Sequence, residues 1–279
     1  MATLRALTVI LALTVITLVL IPPQWLAVKL NLPMQRNLPY FWHRIAHRLL
    51  GMRVIQHGKM AADRPLLVTA NHASWLDIVT LGCTGPLSFI AKQEVSGWPI
   101  FGLFAKLQRT VFVNRQRRSE TGKVANQIAR RMASGDAMVL FAEGTSSNGN
   151  EVLPFRSALV GAVHQAMGAG KSDDEPAQVF VQPLSIAYTK LHGIPIGRFW
   201  RSHVAWYGDM ELAGHLWNII KEGGLDVELT WGLPIALNQS VNRKELTGRL
   251  EGQVREMTAA ALAGTLVEPD GLEIAEFQK

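Results

Sequence analysis

Residues 6–21 form an uncharged, almost wholly apolar run that is closed by Pro22-Pro23. At ~1.5 Å of rise per residue such a helix reaches ~24 Å, short of a hydrocarbon core of ~30 Å. Extension toward Trp25 and Leu26, or a monotopic hairpin pose, makes up the difference. A cleaved signal peptide is the rival reading, but no small-x-small site follows the run. The run reads as an anchor. Residues 39–50 then set Trp42, His43, Ile45, His47 and Leu49 among Arg44 and Arg48, which predicts a second, interfacial helix.

From Arg53 onward the pattern becomes globular. Short apolar runs predict strands at residues 65–70, 87–91, 109–113, 137–141, 179–188, 203–207 and 227–231. Helical periodicity predicts helices at 74–83, 122–134, 157–167 and 242–262, with a polar loop at 171–176. Strands alternating with helices predict an α/β fold, a sheet flanked by helices. No internal repeat or low-complexity linker divides it. Two units are expected: residues 1–50 as membrane anchor and interfacial helix, and residues 51–279 as one α/β domain.

Composition sharpens the membrane reading. Apolar residues make up 48% and charged residues 18%, against roughly a quarter charged in soluble domains. The formal charge of +6 suits an anionic bilayer, nucleic acid, or acidic ligands such as phosphates and acyl carrier proteins. Arginines scattered among tryptophans favour the bilayer over nucleic acid. Lys29, Arg36, Arg44 and Arg48 follow the apolar run against Arg5 alone before it, so the positive-inside rule turns the bulk of the chain to the cytoplasm. The single cysteine, Cys83, excludes an intrachain disulfide.

Candidate chemistry centres on Asn71-His72-Ala73-Ser74-Trp75-Leu76-Asp77, directly after the apolar run at 65–70. A separation of five would not align His72 and Asp77 on a continuous helix, where neighbours are three or four apart. A strand-to-helix turn brings them together, with Ser74 expected as N-cap and Asp77 at the third helical position. Ser74-x-x-Asp77 alone is an ordinary capping box, and His72 alone an ordinary strand-end residue. Together, an Asp accepting from one ring nitrogen leaves the other free to take a hydroxyl proton. Glu143-Gly144-Thr145 follows another buried run; it is either a plain turn or a set of groups for a hydroxyl or headgroup. Arg115, with Arg117 and Arg118, is a fork for phosphate or carboxylate, or else a solvated basic patch. Residues 98–104, Trp-Pro-Ile-Phe-Gly-Leu-Phe, are either core or a wall dipping into lipid. His43 and His47 have a metal-like spacing, but with no Glu between them and no third ligand a surface helix is the better account. The Gly-x-Ser-x-Gly elbow of serine hydrolases is missing.

These blocks resemble the glycerolipid acyltransferase superfamily, specifically the bacterial PlsC-type lysophosphatidic acid acyltransferases and their relatives. His72 and Asp77 match its His-x-x-x-x-Asp signature, and Phe112-Val113-Asn114-Arg115 its Phe-x-x-Arg block. Phe141-Ala142-Glu143-Gly144-Thr145-Ser146 matches most of Phe-Pro-Glu-Gly-Thr-Arg, and Val181-Gln182-Pro183-Leu184 the fourth block. The departures are Ala142 for proline, Ser146 for arginine, Arg109 for glycine and Asn114 for aspartate. The stretch from Ser146 to Ser157 is more similar to the branch that acylates lyso-ornithine lipid, with Arg156 offering a replacement charge.

The resemblance implies a membrane-bound enzyme of the bacterial inner membrane with its catalytic face to the cytoplasm. Its reaction would move a fatty acyl group from acyl carrier protein or coenzyme A to the hydroxyl of a lysolipid. His72 and Asp77 would be catalytic, and Arg115, Glu143, Gly144, Thr145 and Arg156 would bind substrate. No metal or organic cofactor is implied. Lyso-ornithine lipid, which has no phosphate, is the expected acceptor, with lysophosphatidic acid the alternative. A non-catalytic lipid-binding scaffold is the reading of another class, and intact His72, Asp77 and Glu143 argue against it.

Overall fold

The computed structural model describes residues 1–114, 121–157, 179–237, 242–266 and 275–276. Arg115, Arg117, Arg118, the polar loop at 171–176 and the expected helix at 157–167, apart from Ser157, lie outside the described residues.

The chain opens with α1 (Ala2–Lys29) and α2 (Asn37–Leu49), joined through a short 3-10 turn. Then follow β1 (Met52–His57), β2 (Leu66–Ala70), α3 (Leu76–Gly82), β3 (Leu87–Lys92), α4 (Phe101–Leu107) and β4 (Val111–Val113). Next come α5 (Thr121–Ala133), β5 (Ala137–Phe141), β6 (Val179–Leu191), β7 (Ile194–Pro195) and α6 (Arg198–Val204). The described chain closes with α7 (Leu212–Glu222), β8 (Leu225–Trp231), β9 (Ile235–Leu237), α8 (Arg243–Ala263) and β10 (Ala275–Glu276).

The main sheet runs β1-β8-β6-β2-β5-β3-β4. β2 through β6 are mutually parallel, so all five C-terminal ends meet at one edge of the domain. β8 is antiparallel to β6 and carries β1 parallel beside it. Both sheet faces are covered, which is why the central strands read as unbroken apolar runs. Leu66, Val68 and Ala70 of β2, with Val139 and Phe141 of β5, face the layer holding α1, α2, α3 and α7. Leu67, Met138 and Leu140 face the layer holding α5 and α8. The period of two in the strands thus sorts one run of residues into two cores.

Two findings depart from the sequence pattern. Residues 203–207 were expected as a strand, but Arg198–Val204 is helical. Beyond it the chain is extended without a ladder partner; Trp206 N donates to the lone carbonyl of Ala73 at 2.8 Å. Alternation in a rim loop is indistinguishable from alternation in a strand. Pro22 and Pro23 do not close α1 either: the helix runs through them to Lys29. β1, α4 and α7 had no counterpart among the expected elements.

Candidate active site

β2 ends at Ala70, and the next residue replaces a ladder rung with a side chain. Asn71 Nδ2 donates to Ile186 O at 2.9 Å while Ile186 N donates to Asn71 Oδ1 at 2.8 Å. This amide clamp fixes where the chain leaves the sheet. His72 therefore emerges at the shared C-terminal edge of the parallel strands, the place where α/β sheets build sites. Its ring lies flat on Phe141, with centroids 4.1 Å apart and planes 19° from parallel. Phe141 stacks in turn over Phe89.

The first turn of α3 supplies the partner. His72 Nδ1 meets Asp77 Oδ2 at 2.7 Å. The same oxygen accepts from the backbone N–H of Ala73 at 2.8 Å and of Ser74 at 3.1 Å. Asp77 Oδ1 accepts from the Tyr188 hydroxyl at 2.6 Å. Asp77 is fully buried and both its oxygens are engaged, so the carboxylate cannot turn. Because a carboxylate only accepts, Nδ1 carries the ring proton and Nε2 keeps its lone pair. About a fifth of the His72 side chain is exposed. Burial, then the charge of Asp77, push the Tyr188 phenol well above its ordinary value, so it stays a donor.

The capping-box expectation is half right. Asp77 reaches back to Ser74 N as expected, but the helix starts at Leu76, its N-cap is Trp75, and the Ser74 hydroxyl makes no cap bond. The carboxylate that would have been a helix cap is the imidazole's orienter.

Glu143 follows β5 at the same edge. Its Oε1 accepts from His72 N at 3.3 Å, and its other oxygen is buried without a partner. Burial, with Asp77's charge adding, pushes its pKa up to about 8, so the group is mostly protonated at pH 7. Gly144 holds φ at 73°, in the left-handed region open to glycine. Thr145 is exposed and Ser146 half-buried. Ser147 N donates to His72 O at 2.8 Å and Ala142 N to Ala70 O at 3.1 Å, tying the two loops together. Arg156 is exposed, and its Nε donates to Glu143 O at 3.1 Å.

His72, Asp77, Glu143, Gly144, Thr145 and Arg156 thus share one edge. Arg109, which stands where the resembled block has glycine, does not join them. It pairs with Asp136 at 2.9 Å, ahead of β5 and so a strand's length away, ~16 Å. Its φ of 62° explains why the resembled block has glycine there. Residues 98–104 form the start of α4 and its approach; Trp98, Ile100 and Leu103 are exposed, so the segment is a wall rather than core. Trp98 meets Trp206 edge-on at 6.0 Å, at the rim of the His72 loop.

Two further groups were invisible to spacing. Tyr188 lies 111 positions from Asp77. Trp75 Nε1 donates to His215 Nδ1 at 3.0 Å, bracing the loop from α7. Burial lowers the His215 pKa, in keeping with a neutral acceptor.

The arrangement resembles known proteins along its whole length. A family model described as Acyltransferase matches residues 51–187. The chain is 48% identical over 262 residues to a lyso-ornithine lipid O-acyltransferase of Brucella abortus (strain 2308), covering 94% of this chain and 97% of that protein. It is 43% identical over 252 residues to the lyso-ornithine lipid O-acyltransferase of Rhizobium meliloti (strain 1021), covering 90% and 85%. Its fold matches the crystal structure of the 1-acyl-sn-glycerophosphate (LPA) acyltransferase PlsC from Thermotoga maritima with a TM-score of 0.60. That match has 21% identity over 93% of this chain and 97% of the other. Identity of this extent, together with the family match across the His72 and Glu143 loops, means that the chain belongs to the acyltransferase family of enzymes.

Proposed function

We propose that this acyltransferase transfers a fatty acyl group from an acyl carrier protein or coenzyme A thioester to the free hydroxyl of lyso-ornithine lipid, giving ornithine lipid. The observation carrying the chemistry is the His72–Asp77 pair at 2.7 Å, which engages Nδ1 in a side chain that is about a fifth exposed. His72 Nε2 takes the acceptor's hydroxyl proton as the oxygen attacks the thioester carbonyl. Asp77 holds the imidazolium that forms, and the proton passes to the departing thiolate. A positioned base of this kind contributes ~10²–10⁴-fold. Residues 51–279 are the catalytic unit and residues 1–50 the anchor at the bacterial inner membrane, with the catalytic face cytoplasmic by the positive-inside rule.

Two features favour a phosphate-free acceptor. Two relatives similar along most of the chain are named lyso-ornithine lipid O-acyltransferase. Ser146 also stands where the resembled block has arginine, while Arg156 Nε donates to Glu143 O beside it. Arg115, Glu143, Gly144 and Thr145 complete the proposed substrate contacts.

The test is side-by-side turnover of lyso-ornithine lipid and lysophosphatidic acid with one acyl-carrier donor. Wild type is expected to favour lyso-ornithine lipid, and His72→Ala to lose ~10²-fold or more on both. Ser146→Arg should raise turnover of lysophosphatidic acid, since a charged hydrogen bond is worth ~1.5–3 kcal/mol. A wild type that strongly prefers lysophosphatidic acid, with no gain from Ser146→Arg, would overturn the acceptor assignment. An active His72→Ala enzyme would overturn the mechanism.

A further inference from the structure

The hairpin after β6 and the helix that follows carry apolar side chains that stand exposed among the described residues. Ile194 is 70% exposed, Phe199 82% and Trp200 59%. Phe199 and Trp200 meet edge to face at 5.6 Å, so they form one cluster. Their support is rigid. Leu191 pairs with Ile194 across the hairpin, Ile196 is buried beneath it, and Ile196 N donates to Thr189 O at 2.8 Å. Arg201 ties α6 to the Glu143 loop through Asn150 Oδ1 at 3.2 Å. Held in water, exposed aromatic residues on a braced element are a cost without a return.

The position of the cluster indicates its occupant. His192, at the tip of the hairpin, donates its N–H to Gly224 O at 2.6 Å, and its ring lies where a Gly224 side chain would stand. The adjoining Gly223 is covered by the guanidinium of Arg5, which also donates to Leu50 O at 3.0 Å. The hairpin and the first turn of α1 therefore flank one glycine pair. Leu4, Leu7 and Leu11, on the same end of α1 as Arg5, are exposed as well. On its other side α6 leads to Trp206, hydrogen-bonded to Ala73 beside His72. Arg198, exposed and next to Phe199, adds positive charge beside the two aromatic rings.

We propose that Ile194, Phe199 and Trp200 are a second membrane contact, sunk at the headgroup boundary of the leaflet that holds α1. An aromatic pair with an adjacent exposed arginine suits that boundary: the rings enter the acyl region and the Arg198 guanidinium meets anionic headgroups. The contact turns the edge bearing His72 toward the surface from which a lipid acceptor is drawn. It rests on the membrane attachment of α1, not on the identity of the acceptor.

The test uses the full-length chain in vesicles of phosphatidylcholine and phosphatidylglycerol. In a Cys83→Ser background, Phe199→Cys or Trp200→Cys carries an environment-sensitive fluorophore, and exposed Glu245→Cys on α8 is the reference. In the protein that floats with the vesicles, labels at 199 and 200 should shift to the blue. They should be quenched by acyl-chain nitroxides and shielded from iodide, whereas the label at 245 behaves oppositely. Labels at 199 and 200 as open to iodide as the reference would overturn the proposal. A chain that fails to float overturns the attachment of α1 and this contact with it. Neither reading depends on acyl transfer, so a failed acceptor assignment leaves the result intact.

Discussion

Asp77 accepts from four donors: the imidazole of His72, two backbone N–H groups and a tyrosine hydroxyl. Glu143, behind His72, accepts from His72 N at 3.3 Å in a buried setting that favours its neutral form. That burial has a measurable consequence. The folded pKa of Glu143 lies near 8 against an ordinary 4.5, so the folded chain holds a proton that the unfolded chain gives up. The stability this contributes is complete below pH 4.5 and is lost as the pH rises through 8. Glu143→Gln removes the titration, so its melting temperature should fall less than that of wild type between pH 5 and pH 8.5. Parallel slopes in thermal melts across that range would show that Glu143 is not the titrating group. At this scale the sequence reveals His72, Asp77 and Glu143, because strand-end placement and spacing are local. It conceals Tyr188, which reaches Asp77 only because β6 lies beside β2. It also gives Ser74 a capping role that the turn geometry denies.

Helix α2 meets α3 at a contact that depends on one missing methyl group. A Cβ on Gly82 would stand 2.3 Å from His43 Cδ2 and 2.5 Å from Cγ. His43 cannot swing aside: it is buried, its Nε2 lies 3.1 Å from Gln108 Oε1, and burial lowers its pKa to about 4. Gly82→Ala must therefore push α2 away, an overpacking cost of ~1–3 kcal/mol. Gly252 in α8 has nothing within 4 Å of its added Cβ, so Gly252→Ala should gain up to ~1 kcal/mol from helix propensity. Denaturant melts should move the two variants in opposite directions; a neutral Gly82→Ala would mean that α2 does not pack as described. The sequence shows α2 as an interfacial helix, yet His43 and His47 part company: His47 Nδ1 turns to its own helix at His43 O. Amphipathic periodicity marks that a face is buried but not which neighbour buries it. The same limit hid β1, an edge strand over Met52–His57 for which no element was expected. It also turned the rim after α6 into an apparent strand.

Among the described residues α1 is the helix long and apolar enough to cross a membrane, and its contacts constrain how it can sit in one. At 28 residues it is ~42 Å long, more than enough to cross a core of ~30 Å. The expected stop at Pro22-Pro23 underestimated it, since packing along the helix carries it past two missing N–H donors. That packing reaches both ends. Arg5 donates to Leu50 O and Ile220 O near the first turn, and Thr17 Oγ1 accepts from Trp42 Nε1 at 2.8 Å. Near the last turn, Gln24 Nε2 donates to Gln35 O at 3.0 Å and to Leu107 O at 2.6 Å. A helix threading the bilayer would have to carry one of these ends to the opposite side, abandoning its partners in the domain. We therefore expect α1 to lie in one leaflet with Met1 on the catalytic side. Membranes washed with carbonate should retain the protein, because Leu4, Leu7, Leu11, Val15 and Leu18 remain exposed for lipid. In sealed inside-out vesicles, an epitope before Met1 and one after Lys279 should then be cleaved by added protease together. Protection of the N-terminal epitope alone would mean that α1 spans, and that its contacts at Arg5 give way in the membrane.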